Sequence, residues 1–205
     1  EARRYADSGH LVALVGHADH VEVIGTRGER PEETVVIESP EDAAKLDPEG
    51  KPVAVITQTT LSLDDVAETV DALAERFGDL KRPAADDICY ATQNRQDAVK
   101  ELARGGATLI LVIGSEASSN ARRLVEVAER FGARAELIDG ESGLDPDMLA
   151  GHETVGVTAG ASTPEELVAL VLRSLASFGF DELGEVEVAR ENVSFRLPRE
   201  VTTPA

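Results

Sequence analysis

The chain has 205 residues, 42% of them hydrophobic, with 39 acidic and 20 basic side chains giving a net charge of −19, and a single cysteine. This length and apolar fraction fit one large domain or two small ones with a packed aliphatic core, and they argue against disorder. The acid excess disfavours nucleic acid as a partner. No apolar run approaches the ~18 residues of a membrane span, and one thiol permits no internal disulfide, which fits the reducing cytoplasm.

Residues 1 to about 10 read as the stub of a helix. Because the chain opens on Glu1 and its one methionine is Met148, a preceding portion is expected to be missing. Leu11–Val15 is a short apolar run that reads as a buried strand, and Val35–Ile37 and Val53–Ile56 read the same way. Ser39-Pro40-Glu41-Asp42 opens a short helix with Ser as N-cap and Pro in the first turn. Ser62-Leu63-Asp64-Asp65 opens a longer one ending near Gly78. The polar segment Leu80 to Asp87, with Pro83 inside it, is expected to separate two α/β units, residues 1–82 and 83–180. In the second unit, helices are expected over Ala91–Arg104 and Ser119–Phe131, and from Ser162-Thr163-Pro164 to near Gly179. Strands are expected at Leu109–Ile113, Ala135–Ile138 and Val155–Val157. Alternation of this kind predicts an α/β fold with parallel sheets flanked by helices. A tail, residues 181–205, carries two alternating runs, Val186–Ala189 and Val193–Leu197, readable as edge strands or as a strap.

The chemistry gathers after the strands. Gly16-His17-Ala18-Asp19-His20-Val21-Glu22, Thr57-Gln58-Thr59-Thr60, Gly114-Ser115-Glu116-Ala117-Ser118-Ser119-Asn120 and Thr158-Ala159-Gly160-Ala161-Ser162 each follow a strand. The last three lead directly into a helix, whereas His20 and Glu22 read as loop residues. Ligands of open parallel sheets bind beyond the carboxyl ends of the strands. Helix N-termini with hydroxyl and amide side chains can hold an anion without lysine. Any single loop of this composition is an ordinary helix cap, and only the convergence of four points to an anion-binding α/β protein. Cys89, just before a helix, is favoured as thiolate, the form that ligates metal, although a lone cysteine is usually a small buried hydrophobe. His20 and Glu22 could bind an anion and move a proton. His17 and His20 have metal-pair spacing but lack a third ligand, and nucleotide signatures are absent.

Taken together, Gly16–Thr26, Thr57–Ser62, Asp86–Gln96, Ser118–Asn120 and Thr158–Ser162 resemble the five motifs of the 4-hydroxy-3-methylbut-2-enyl diphosphate reductase family (LytB type), in order and spacing. The resemblance covers nearly the whole chain and matches the C-terminal two thirds of the family. It implies a three-lobed protein around a central 4Fe-4S cluster, with residues 1–82 and 83–180 as the second and third lobes. It implies that Cys89 is one of three cysteine ligands, and that His20, Thr59, Ser118, Ser119, Asn120 and Ser162 hold the diphosphate and its hydroxyl network. Glu22, with Thr59, would supply the proton as the substrate hydroxyl leaves. Electrons would come from ferredoxin or flavodoxin, and the products would be isopentenyl and dimethylallyl diphosphate.

The departures carry weight as well. Two of the family's three cluster cysteines and two of its substrate histidines have no counterpart here, so the chain is expected to be inactive alone. Asp19 and Val21 stand where Gly and Pro are expected, which would loosen the segment carrying Glu22. The alternative class is a non-catalytic diphosphate-binding module or partner subunit. A cluster shared between two copies would leave too few thiolates.

Overall fold

The computed structural model describes residues 1–83 and 88–189. The expected run Val193–Leu197 and the acidic pair Asp86-Asp87 lie outside the described residues. Fifteen elements follow in chain order: α1 (Ala2–Asp7), β1 (Leu11–Val15), α2 (Val21–Gly28), β2 (Thr34–Ile37), α3 (Pro40–Lys45), β3 (Val53–Thr57), α4 (Leu63–Arg76), α5 (Tyr90–Arg104), β4 (Leu109–Ile113), α6 (Ser119–Arg130), β5 (Arg134–Ile138), a 3-10 turn (Glu141–Gly143), α7 (Pro146–Leu149), β6 (Val155–Ala159) and α8 (Glu165–Ser177). The strands form two three-stranded parallel sheets of the same topology, β2-β1-β3 and β5-β4-β6. Leu14 pairs with Val36 and Ile56, and Leu111 with Glu136 and Val157.

Both central strands are buried at every position, as expected of a parallel strand covered by helices on two faces. Their side chains alternate between two cores with the period of a strand. Leu11, Ala13 and Val15 pack with Ala43, Val66 and Leu73 of α3 and α4, while Val12 and Leu14 pack with Tyr5 and Val23 of α1 and α2. In the second sheet Ile110 and Val112 face α5 and α6 through Val99, Leu124 and Val127, and Leu109, Leu111 and Ile113 face α7 and α8 through Leu149, Val171 and Leu175. Ile88, next to Cys89, is buried in the core of the first sheet although α5 packs on the second. This buried residue ties the two units at the point where the chain passes between them.

Two expectations are corrected. Val21–Gly28, read as the end of a loop, is helix α2. Val186–Ala189 forms no strand, and Val186 and Val188 are exposed. No helix among the described residues is long and apolar enough to cross a membrane.

Candidate functional site

At the end of β1 the Gly16 amide donates to the Ile37 carbonyl (3.1 Å). A Cβ at Gly16 would lie 2.8 Å from Val23 Cγ2 and 2.9 Å from Gln58 Cβ, so only glycine lets the two strand-end segments approach this closely. Gln58 binds them together. Its Oε1 accepts from the His17 amide (3.0 Å) and its Nε2 donates to Thr60 Oγ1 (2.8 Å). Sequence reasoning left Gln58 out of the site. The available signal was an amide inside a run of threonines at a strand end, where a side chain with both a donor and an acceptor can bridge two loops.

Glu22 lies in the first turn of α2, a position that favours a carboxylate. Its Oε1 accepts from the Thr59 amide (2.8 Å) and its Oε2 from the Thr59 hydroxyl (3.1 Å). The carboxylate is therefore held at two points. Val21 takes the first helical position and is 80% exposed, so a β-branched residue is accommodated there without a clash.

His20 is the N-cap of α2, its Nδ1 accepting from the Glu22 amide (3.2 Å). An acceptor nitrogen carries no proton, so the neutral ring bears its hydrogen on Nε2. That nitrogen lies 2.5 Å from Ser119 Oγ on α6, so His20 donates to Ser119 and leaves the serine hydrogen free for an acceptor. The capping bond thus sets the tautomer and joins the two units. His17 turns away, toward Glu38 (3.9 Å) and Arg123 of α6 (3.5 Å).

In the second unit Ser118 caps α6, its Oγ accepting from the Ala121 amide (3.3 Å). Asn120, one residue past Ser119, is 8% exposed, and neither its Oδ1 nor its Nδ2 has a hydrogen-bond partner. A buried polar group left unpaired costs about 1–3 kcal/mol, so this amide marks a place where a polar partner belongs. Gly114 and Gly160, which follow β4 and β6, both abut Ala121, since a Cβ on either would lie 2.8 Å and 3.5 Å from its methyl. The loop after β6 is anchored by Thr163 Oγ1 donating to the Ile113 carbonyl (2.9 Å). The sequence suggested Ser162 as part of a helix start. The helix begins at Glu165 with Pro164 flanking it, and Ser162 is exposed with no hydrogen bond to the other site residues.

Cys89 flanks α5 at its N-terminus, exposed and with no capping bond from its sulfur. Its amide donates to the Thr59 carbonyl (3.3 Å). Hydrogen bonds therefore run without a break from Ser119 through His20, Glu22 and Thr59 to Cys89. Ser118 and Asn120 adjoin this line, and Ser162 makes no hydrogen bond to it. A cleft of about 360 Å³ opens beside Glu22, Thr57 and Thr59 and reaches Ala2, Arg3 and Glu29.

The donor set does not by itself fit an iron–sulfur cluster, which needs three or four thiolates or imidazoles. The chain has one cysteine, and among the described residues no group of three His, Cys, Asp or Glu could hold a metal ion. The anion donors are better provided for. Groups able to donate to an anion there are the Ser119 hydroxyl and the unpartnered Asn120 amide.

A family model described as LytB protein matches residues 1–176. A 4-hydroxy-3-methylbut-2-enyl diphosphate reductase of Phenylobacterium zucineum is 53% identical over 201 residues, 97% of this chain and 64% of the relative. One of Acidothermus cellulolyticus is 50% identical over 205 residues, covering 98% and 59%. The solved E-1-hydroxy-2-methyl-but-2-enyl-4-diphosphate reductase of Plasmodium falciparum superposes with a TM-score of 0.91 at 34% identity, over 98% of this chain and 64% of that one. The chain thus spans about three fifths of the length of these relatives. On the family match and these identities, the chain belongs to the LytB protein family.

Proposed function

We propose that these 205 residues are the second and third lobes (1–82 and 83–180) and tail of a 4-hydroxy-3-methylbut-2-enyl diphosphate reductase. The reaction removes the substrate hydroxyl reductively, giving isopentenyl and dimethylallyl diphosphate in the non-mevalonate pathway. The observation that carries the reading is the buried, unpartnered Asn120 amide beside the unbroken line Ser119–His20–Glu22–Thr59–Cys89. His20, Ser118, Ser119, Asn120 and Ser162 hold the diphosphate, with Thr59 toward the hydroxyl end. Overall the substrate takes up two electrons and two protons. One proton leaves with the hydroxyl as water and the other completes the new C–H bond. Glu22 delivers the first, and the Thr59 hydroxyl on its Oε2 orients it. Cys89 would contribute one thiolate to a 4Fe-4S cluster, with the other ligands supplied by residues outside this chain, and a ferredoxin or flavodoxin in the cytoplasm would provide the electrons.

The second reading, a diphosphate-binding module without redox chemistry, rests on one observation, the buried and unpartnered Asn120 amide beside the Ser119 hydroxyl, which calls for a polar ligand and for no metal. Calorimetric titration with 4-hydroxy-3-methylbut-2-enyl diphosphate tests what both readings share. Binding is expected, weakened at least tenfold by Asn120→Ala, and no heat with the unaltered chain would overturn both. Anaerobic reconstitution with iron and sulfide separates them. With the remaining third of a LytB relative added in trans, iron held and lost in Cys89→Ser favours the reductase, and diphosphate binding with iron retention unchanged by Cys89→Ser favours the module.

A further inference from the structure

Helix α5 packs its Val99, Leu102 and Ala103 face on the second sheet. An adjoining stripe of the same helix bonds to the first unit, at residues 59, 61 and 64. The Cys89 amide donates to the Thr59 carbonyl (3.3 Å), Gln96 Nε2 to the Leu61 carbonyl (3.3 Å), and Lys100 Nζ to Asp64 Oδ2 (2.9 Å). Positions seven and eleven residues beyond Cys89 return to within about 20° of its direction on a helix of 100° per residue. The three bonds therefore form one ladder along α5, rising in step with residues 59, 61 and 64.

Gln96 is the middle rung and is fully buried, at 0% exposure. Its Oε1 is buried with no partner. A buried amide with an unmet acceptor is costly, and leucine or methionine would fill the same space without that cost. Packing alone does not account for an amide here. The directional bond from Nε2 to the Leu61 carbonyl does, because it fixes how far α5 can slide along the 57–62 segment. Sliding would move the Cys89 sulfur at the end of the helix against the Thr59–Glu22 pair.

We propose that Gln96 is a positioning residue, which sets the Cys89 thiol against Thr59 and Glu22 by locking α5 to the Leu61 carbonyl. The value of this lock for chemistry rests on the reading of Cys89 as a thiolate ligand, but the lock itself needs no metal. Amide hydrogen exchange followed by NMR on the chain tests it. In the unaltered chain the Gln96 side-chain amide protons are expected to exchange slowly and to show a through-space contact to Leu61 Hα. Fast exchange without that contact would overturn the proposal whether or not any variant folds. In Gln96→Met, protection of the Cys89 amide is expected to fall at least tenfold, while Ala13 and Leu111, on the central strands of the two sheets, keep their rates. An unchanged Cys89 rate, or an equal fall at all three sites, would overturn the proposal, the latter by showing a general contribution to stability. Because no iron enters the measurement, failure of the cluster reading leaves the result intact.

Discussion

Gly16 offers the sharpest test of how the two strand-end segments are held together. In Gly16→Ala the new methyl would stand 2.8 Å from Val23 Cγ2, 2.9 Å from Gln58 Cβ and 3.0 Å from Gln58 Oε1. Carbon contacts relax at about 3.5–4.0 Å, so neighbours on two sides must each retreat by roughly 0.7 Å. Val23 follows Glu22 on α2 and Gln58 precedes Thr59, so the strain acts on the carboxylate–threonine pair from both ends. Overpacking of this kind costs about 1–3 kcal/mol, and the smaller chain entropy of alanine offsets about 0.4–1 kcal/mol, leaving a net loss of roughly 0–2.6 kcal/mol, centred on about 1.3. Gly16 is not among the residues with positive φ, so the loss is one of space. Gly25 in α2 is the control. A Cβ there would meet nothing within 4 Å, and alanine in a helix interior gains about 0.5–1 kcal/mol. Urea unfolding is expected to show a lower midpoint for Gly16→Ala and a higher one for Gly25→Ala. A Gly16→Ala midpoint at or above that of the parent would refute the close-approach argument.

Three further outcomes follow from the site. His20→Ala is expected to lose about 1 kcal/mol or more through the lost cap and the lost bond to Ser119, while His20→Asn, whose short side chain restores the cap alone, recovers part of that loss in urea unfolding; equal losses would contradict the capping role. Asn120→Ala is expected to leave stability within about 1 kcal/mol of the parent, because unpaired polar atoms are removed along with packing, and to weaken diphosphate binding in calorimetry. A large stability loss would mean that the amide is satisfied by the fold. For Lys100, burial lowers the ammonium pKa, but hydrogen bonds and charge from Asp64 and Asp97 outweigh it and raise the value above the ordinary 10.5. A raised pKa in the fold gives stability that is fully present below the ordinary lysine value and is lost as pH climbs through the raised one. Lys100→Met should therefore cost up to about 1 kcal/mol at neutral pH, with the two urea midpoints converging in strong alkali; a gap that widens there would contradict the pairing.

The six strands were legible because buried parallel strands are short, β-branched and bounded by turn residues, and Leu11–Val15 and Leu109–Ile113 meet all three conditions. Helix α2 was not legible. Val21–Gly28 holds two glycines and several β-branched residues, all weak helix formers, and its cap is a histidine rather than Ser, Thr, Asp or Asn. Tertiary contacts hold it instead, through the His20 cap, buried Val23 and the two bonds from Glu22 to Thr59. Helix α7 carried a readable signal in Asp145-Pro146, an N-cap followed by proline, but spans only four residues. The types of residue at the candidate site could be read from the strand ends. The bridge from His20 to Ser119, 99 positions away, could not, since no local pattern encodes which loops of two separate sheets will meet. Gln96, which bonds to the Leu61 carbonyl of the other unit, was invisible as a functional group for the same reason.

The proposed chemistry depends on strand-end loops from two sheets converging on one anion site. Following backbone amide signals of the chain by NMR during titration with inorganic pyrophosphate tests it most directly. The largest shifts are predicted at His20, Glu22, Thr59, Ser119 and Asn120, rising together with a single affinity. Shifts confined to one sheet's loops, shifts elsewhere on the surface, or no shifts at all would contradict it.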